Sequence, residues 1–197
     1  MYERPRLKRA SCVSVSILAG VLLLQPSTSV LNAEQSIEAG LAAFSAMASV
    51  MQHPRCLNCH RATEPSTRDD SRRHIPRVRP GRDGFGSGGE QCSICHRESN
   101  NDRTRIPGAI GWRSPPYSMS WDGLDQGDIC DNIKDQAMNG QRSLDDLKYH
   151  FEEDILVKWA WAPGARRTPP PISYESFLTH IHTWLRSGAP CPPIPGD

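Results

Sequence analysis

The feature that most constrains this chain is a five-residue pattern that occurs twice, Cys56-Leu57-Asn58-Cys59-His60 and Cys92-Ser93-Ile94-Cys95-His96. Each copy commits two thiols and one imidazole to a single short turn. Any fold must leave room around two such turns for whatever they hold. Cys-x-x-Cys-His is the attachment signature of c-type haem: each thiol forms a thioether to one vinyl group, and the histidine reaches back to the iron. The expected cofactors are two covalent haem c groups, with His60 and His96 as proximal iron ligands. Two other chemistries use paired cysteines. Zinc ribbons do, but they separate their pairs by fewer residues than the 32 between Cys59 and Cys92, and they do not require the histidines. A thioredoxin-like dithiol opens a helix after a strand, and neither flank carries a strand pattern.

Residues 1–33 read as an export signal. Arg4, Arg6, Lys8 and Arg9 form a basic start, 13–24 an apolar run, and Leu31-Asn32-Ala33 a cleavage site. The apolar run is shorter than the roughly 20 residues a membrane span needs, so no stable span is expected after cleavage; an uncleaved anchor is the alternative. Cleavage removes four of the 23 basic and one of the 22 acidic residues, leaving a net charge of −2. Nothing in that balance suggests a nucleic-acid partner. It also leaves six cysteines, four of them in the motifs. Cys130 and Cys191 remain, and in an oxidising compartment the pair reads as a disulfide, with two free thiols as the alternative. It would close a loop of about 60 residues and contribute on the order of 4 kcal/mol.

The remaining residues, 34–197, suit one domain. The full 197-residue chain has 37% apolar residues, 17 prolines and 15 glycines, and the expected fold is mainly α with long irregular loops, a small c-type cytochrome wrapped around two covalent haems. Apolar spacing predicts helices over 34–52, 127–139 and 173–187. Ile37, Leu41, Phe44 and Met51 mark the first, with His53-Pro54 ending it. Ser143 and Asp146 form a Ser-x-x-Asp box opening a further helix through 151, with a continuation to 161. Gly140 and Gly188 stand as helix caps, and little sheet is expected. The polar stretch 61–91 has no core pattern; it makes sense as a wrap around a cofactor, with Arg72, Arg73, Arg77, Arg79 and Arg82 toward haem propionates, or as a solvated basic loop.

The sixth iron ligands come from histidine or methionine, methionine raising the potential. His74, midway between the motifs, is expected over the first haem. His53, three residues ahead of Cys56, reaches the second more easily. His150 and Met119 are next; His180, His182, Met138, Met47 and Met51 complete the set, with His180 read as a packing histidine. Trp159, Trp161 and Trp184 are expected to pack rather than to relay electrons.

On these residues the chain resembles the exported dihaem and multihaem c-type cytochromes. More closely, it is similar to a family of small bacterial dihaem proteins with segments matching 53–60, Met119-Ser120-Trp121, 139–144 and 184–192, which span most of the mature chain. Some members carry the label isoquinoline 1-oxidoreductase subunit, but no residue here speaks for molybdenum or isoquinoline chemistry. The resemblance implies haem binding and electron transfer but does not supply a redox partner. The export signal makes the periplasm the expected location, an electron carrier is expected rather than a catalyst, and no catalytic residue is assigned. A peroxidase-like dihaem enzyme, a haem-bearing subunit of a larger oxidoreductase and a sensor are the other classes considered.

Overall fold

A computed structural model of the chain describes residues 28–61, 74, 76, 79–164, 166–194 and 196. The expected export signal lies outside them as far as residue 27, and so do Arg72, Arg73 and Arg77. The fold is mainly α.

Helix α1 spans Thr28–Met51 and is rich in Ala, the strongest helix former. It runs through the position expected for cleavage after Ala33. At 24 residues it is about 36 Å long, whereas α7, Tyr174–Arg186, has 13 and reaches about 20 Å. These two helices form the main helix pair. The start of α1 outruns that contact, so residues 32–39 are exposed and Ile37, expected on the core face, is 49% exposed. Burial begins at Gly40, where a Cβ would lie 2.6 Å from Pro190 Cγ. Phe44, Met47, Val50 and Met51 then enter the core. They meet Ile129 and Ile133 of α4 (Gln126–Lys134) and Phe177, Ile181 and Trp184 of α7. Full burial of such side chains contributes roughly 1.5 to 3 kcal/mol each.

Cys130 and Cys191 form a disulfide with Cα atoms 5.5 Å apart, tying α4 to the C-terminal tail. The tail turns back at Gly188 (φ +82°), the expected cap, and Trp184 Nε1–H donates to Pro190 O at 2.9 Å.

Two helices differ from their expected lengths. Helix α4 stops at Lys134 because Asp135 is extended (ψ 109°) and its carboxylate accepts the Ala137 N–H at 2.8 Å. Such a local side-chain bond competes with helix continuation. Gly140, at φ +79°, therefore closes a turn rather than α4. The helix opened by Ser143 carries its full capping box but ends at Glu153 as α5, Leu144–Glu153. Asp154 is extended and caps both sides, its N–H bonding His150 O and its side chain accepting the Leu156 N–H. The expected continuation is a separate helix, α6, Ile155–Trp159.

Sheet is confined to two short antiparallel hairpins among the described residues. Strand β1 (Gly86–Ser87) pairs with β2 (Glu90–Gln91), and β3 (Ser99–Asn101) with β4 (Ile106–Ala109). The second Cys-x-x-Cys-His copy lies between these hairpins.

Candidate functional site

Both motifs sit on the same kind of turn. The first follows α1 on a four-residue helix, α2, Pro54–Leu57, with Pro54 in its first turn, where a missing N–H costs nothing. The second lies on α3, Cys92–Cys95. In each the histidine N–H donates to the carbonyl of the first cysteine: His60 to Cys56 at 3.0 Å and His96 to Cys92 at 2.8 Å. One helical turn therefore gathers both thiols and the histidine. All four motif thiols are free. Contrary to expectation, a strand does lead into one motif, since β2 runs directly into α3.

The histidines share a second set of surroundings. The Nδ1 of His60 lies 2.7 Å from Met119 O and that of His96 lies 2.8 Å from Pro107 O. A carbonyl only accepts, so both Nδ1 atoms carry the hydrogen and each neutral ring presents a bare Nε2 lone pair. Each ring also lies flat on a tryptophan. His60 stacks on Trp121 at 3.7 Å and 5°, and His96 on Trp112 at 4.5 Å and 2°. Trp121 is fixed in turn by its N–H to His60 O at 3.0 Å and its indole N–H to Asn132 at 3.2 Å. The Met-x-Trp segment thus supplies both the carbonyl and the platform for the first histidine.

A cavity of about 410 Å³ opens beside the first motif, lined by Cys56, Cys59, His60, Met51, Trp121 and Phe177 among others. That volume falls in the range of small-molecule and cofactor clefts, about 300 to 1,000 Å³. Burial pushes the Cys56 thiol up to about 12 and the Cys59 thiol up to about 11. Cys92 is also raised by burial. Burial lowers His60 to about 4, against the opposing bond to Met119 O, and the neighbouring His150 adds to the lowering. His60 is therefore neutral over the physiological range and suited to ligate a metal. Four arginines, Arg55, Arg82, Arg113 and Arg142, border the same space. Ser120 Oγ and Arg61 Nε, both flanking the motif's surroundings, are buried without a hydrogen-bond partner among the described residues. A haem fits this donor set: two thiols and a bare imidazole nitrogen on the wall, apolar sides, and guanidinium groups for propionates.

The other expected ligands fall in different places. His74 faces His96, not His60, with the two Nε2 atoms 3.5 Å apart. His53 is the N-cap of α2, its Nδ1 accepting the Arg55 N–H at 3.3 Å, so that Nε2 carries the proton in that tautomer. His150 lines the first cavity, with Nδ1 3.3 Å from the Asp154 carboxylate. Asp154 also binds Arg113. Burial raises the Asp154 carboxyl, but the hydrogen bonds from His150 and Leu156 N–H and the charges of His150 and Arg113 outweigh it and bring it down to about 2. Met119 is buried and also lines that cavity. Met47 and Met51 are core residues, whereas Met138 is 37% exposed. His182 pairs with Glu152, and His180 is half-buried.

Several contributors escaped the sequence reading. Trp112 is one: it stacks on His96, meets Trp159 edge-on at 4.9 Å and lines the first cavity, so it joins the surroundings of the two motifs. Asn139 is another. Fully buried, its side chain bonds Ile133 O, Arg142 O and the Arg142 N–H, which sets the 139–142 turn against the cavity. Asn139 opens the 139–144 segment of the resemblance, which gives it no task. Arg55, Arg113 and Arg142 border the cavity beside Arg82, one of the loop arginines, whereas Arg79 of that loop is exposed.

No family model matches this chain, and neither does any curated protein or solved structure.

Proposed function

We propose that the chain is an exported dihaem c-type cytochrome that carries electrons between redox proteins, in line with the family it resembles. Cys56 and Cys59 hold one haem and Cys92 and Cys95 the other, each thiol adding its sulfur and its hydrogen across a vinyl group. His60 and His96 supply the proximal nitrogens. Bound haem iron supplies one-electron redox chemistry, which the protein tunes through axial ligands and burial. The disulfide suits an oxidising compartment, and among the described residues no helix is long and apolar enough to cross a membrane.

The observation that carries the reading is the shared environment of the two motif histidines, each with Nδ1–H on a carbonyl and one face on an indole. Carbonyl-fixed tautomers of this kind orient metal-ligating imidazoles. The rival chemistries fare worse. A zinc site needs about four ligands, and among the described residues no group of three or more His, Cys, Asp or Glu is arranged to hold a bare metal ion. A redox dithiol needs a depressed thiol pKa, whereas Cys56, Cys59 and Cys92 are raised. Trp112, shared by the two sites, fits two cofactors close enough to exchange electrons.

One observation favours a haem oxidoreductase as the second reading: His150, Asp154 and Arg113 form a linked polar set at the first cavity. Both readings are tested by producing the chain in a host with haem-attachment machinery. Mass spectrometry is expected to find two haems, and one after Cys56→Ala and Cys59→Ala together. An unchanged haem count would sink the proposal. Low-spin irons indifferent to peroxide and cyanide are expected of the carrier; a high-spin iron that turns over peroxide would establish the enzyme instead.

A further inference from the structure

The geometry points to His74 as the second axial ligand of the iron held at Cys92, Cys95 and His96, so that this iron is bound between two imidazoles. The assignment rests on the dihaem reading above and deepens it, and it moves His74 from the first haem to the second.

His74 and His96 approach nitrogen to nitrogen, Nε2 to Nε2, at 3.5 Å. The His74 Nδ1 lies 2.6 Å from Pro76 O and the His96 Nδ1 lies 2.8 Å from Pro107 O. Both hydrogens are therefore on Nδ1, and two bare lone pairs point at one another. That contact is repulsive unless a positive centre lies between them. A shared proton is one such centre, but 3.5 Å is at the far limit of a hydrogen bond. A metal resolves the contact. Imidazole nitrogens bind metals at about 2 Å, so two ligands on opposite sides of one ion stand about 4 Å apart, close to the observed gap.

The ligand count selects the kind of metal. A bare divalent ion takes about four to six donors, and among the described residues no third donor joins this pair. Two opposed imidazoles leave open the ring of positions that a porphyrin fills. Both rings are also held in place beforehand. Trp112 lies flat on His96, and the Pro76 carbonyl fixes His74 from two residues away.

The test uses the haem-loaded full chain, with covalent haem counted by mass and spin states read by EPR of the oxidised protein. His74→Ala is expected to keep two haems while one low-spin signal gives way to a high-spin one, restored by added imidazole. His74→Met is made beside it, because alanine can unseat the segment; it is expected to stay low-spin with one reduction potential raised. Two haems with both signals and both potentials unchanged in the two variants would overturn the assignment alone. A wild-type chain that carries no haem would overturn the reading beneath it.

Discussion

Trp112 lies parallel to the imidazole of His96, ring centroids 4.5 Å apart and planes within 2°. Trp121 does the same for His60, at 3.7 Å, and is the more buried of the two at 5% exposure. Truncating a buried tryptophan to alanine costs about 3 to 5 kcal/mol. Trp121→Ala is expected to reach that range, and Trp112→Ala, half-buried, about 2 kcal/mol. Urea unfolding with unchanged slopes measures both. The reverse order would mean that neither the deeper burial nor the closer stack of Trp121 sets the loss.

Gly40 pits local propensity against packing. Alanine is the better helix former by about 1 kcal/mol. Its Cβ, however, would stand 2.6 Å from Pro190 Cγ and 2.7 Å from Ser187 Cβ. Overpacking of that kind costs about 1 to 3 kcal/mol. Gly40→Ala is therefore expected to lower the thermal midpoint despite the helix it favours; a raised midpoint would show that the tail yields freely.

Acid sensitivity should centre on Asp154. Its carboxyl falls from an ordinary 3.8 to about 2 because the partnering of His150, Leu156 N–H and Arg113 outweighs burial. A depressed carboxyl stabilises the fold above its unfolded value and loses that contribution as pH drops from about 4 toward 2. Asp154→Asn keeps a good N-cap for α6 but removes the charge. The variant is expected to lose about 1 kcal/mol at neutral pH, discounted for solvent screening, and to converge with wild type near pH 2. Parallel acid limbs in denaturation at stepped pH would count against the account.

Removing the disulfide should be felt throughout the helical part. A separation of 61 residues predicts about 4 kcal/mol from chain entropy, of which about 2 to 4 is the usual yield. Cys130→Ala with Cys191→Ala, compared with wild type in guanidinium, measures it. A loss below about 0.5 kcal/mol would show that core packing alone fixes the tail.

Local chemistry was the readable part of this chain. The two motif turns, the Ser143–Asp146 box, the α7 apolar face and the Cys130–Cys191 pair each rest on residues whose partners follow from spacing or from elimination. Asp135 and Asp154 broke the longer helices because their carboxylates found nearby N–H groups, a contest that apolar periodicity does not register. Trp112 and the Pro107 carbonyl serve His96 across 16 and 11 residues of irregular chain, and no period links them to it. The side of His74 was equally invisible, since a histidine midway between two motifs has both within reach.

The Cys130–Cys191 link closes the chain into a hoop of backbone that carries α5, α6 and α7, with His150 and Phe177, while both Cys-x-x-Cys-His turns stay outside it. The proline-rich stretch between α6 and α7 lies on that hoop. A protease that severs it once makes two chain ends but not two molecules. The wall of the first cavity survives such a nick as part of one covalent body, still fastened through α4 and the tail to the helices that hold the core.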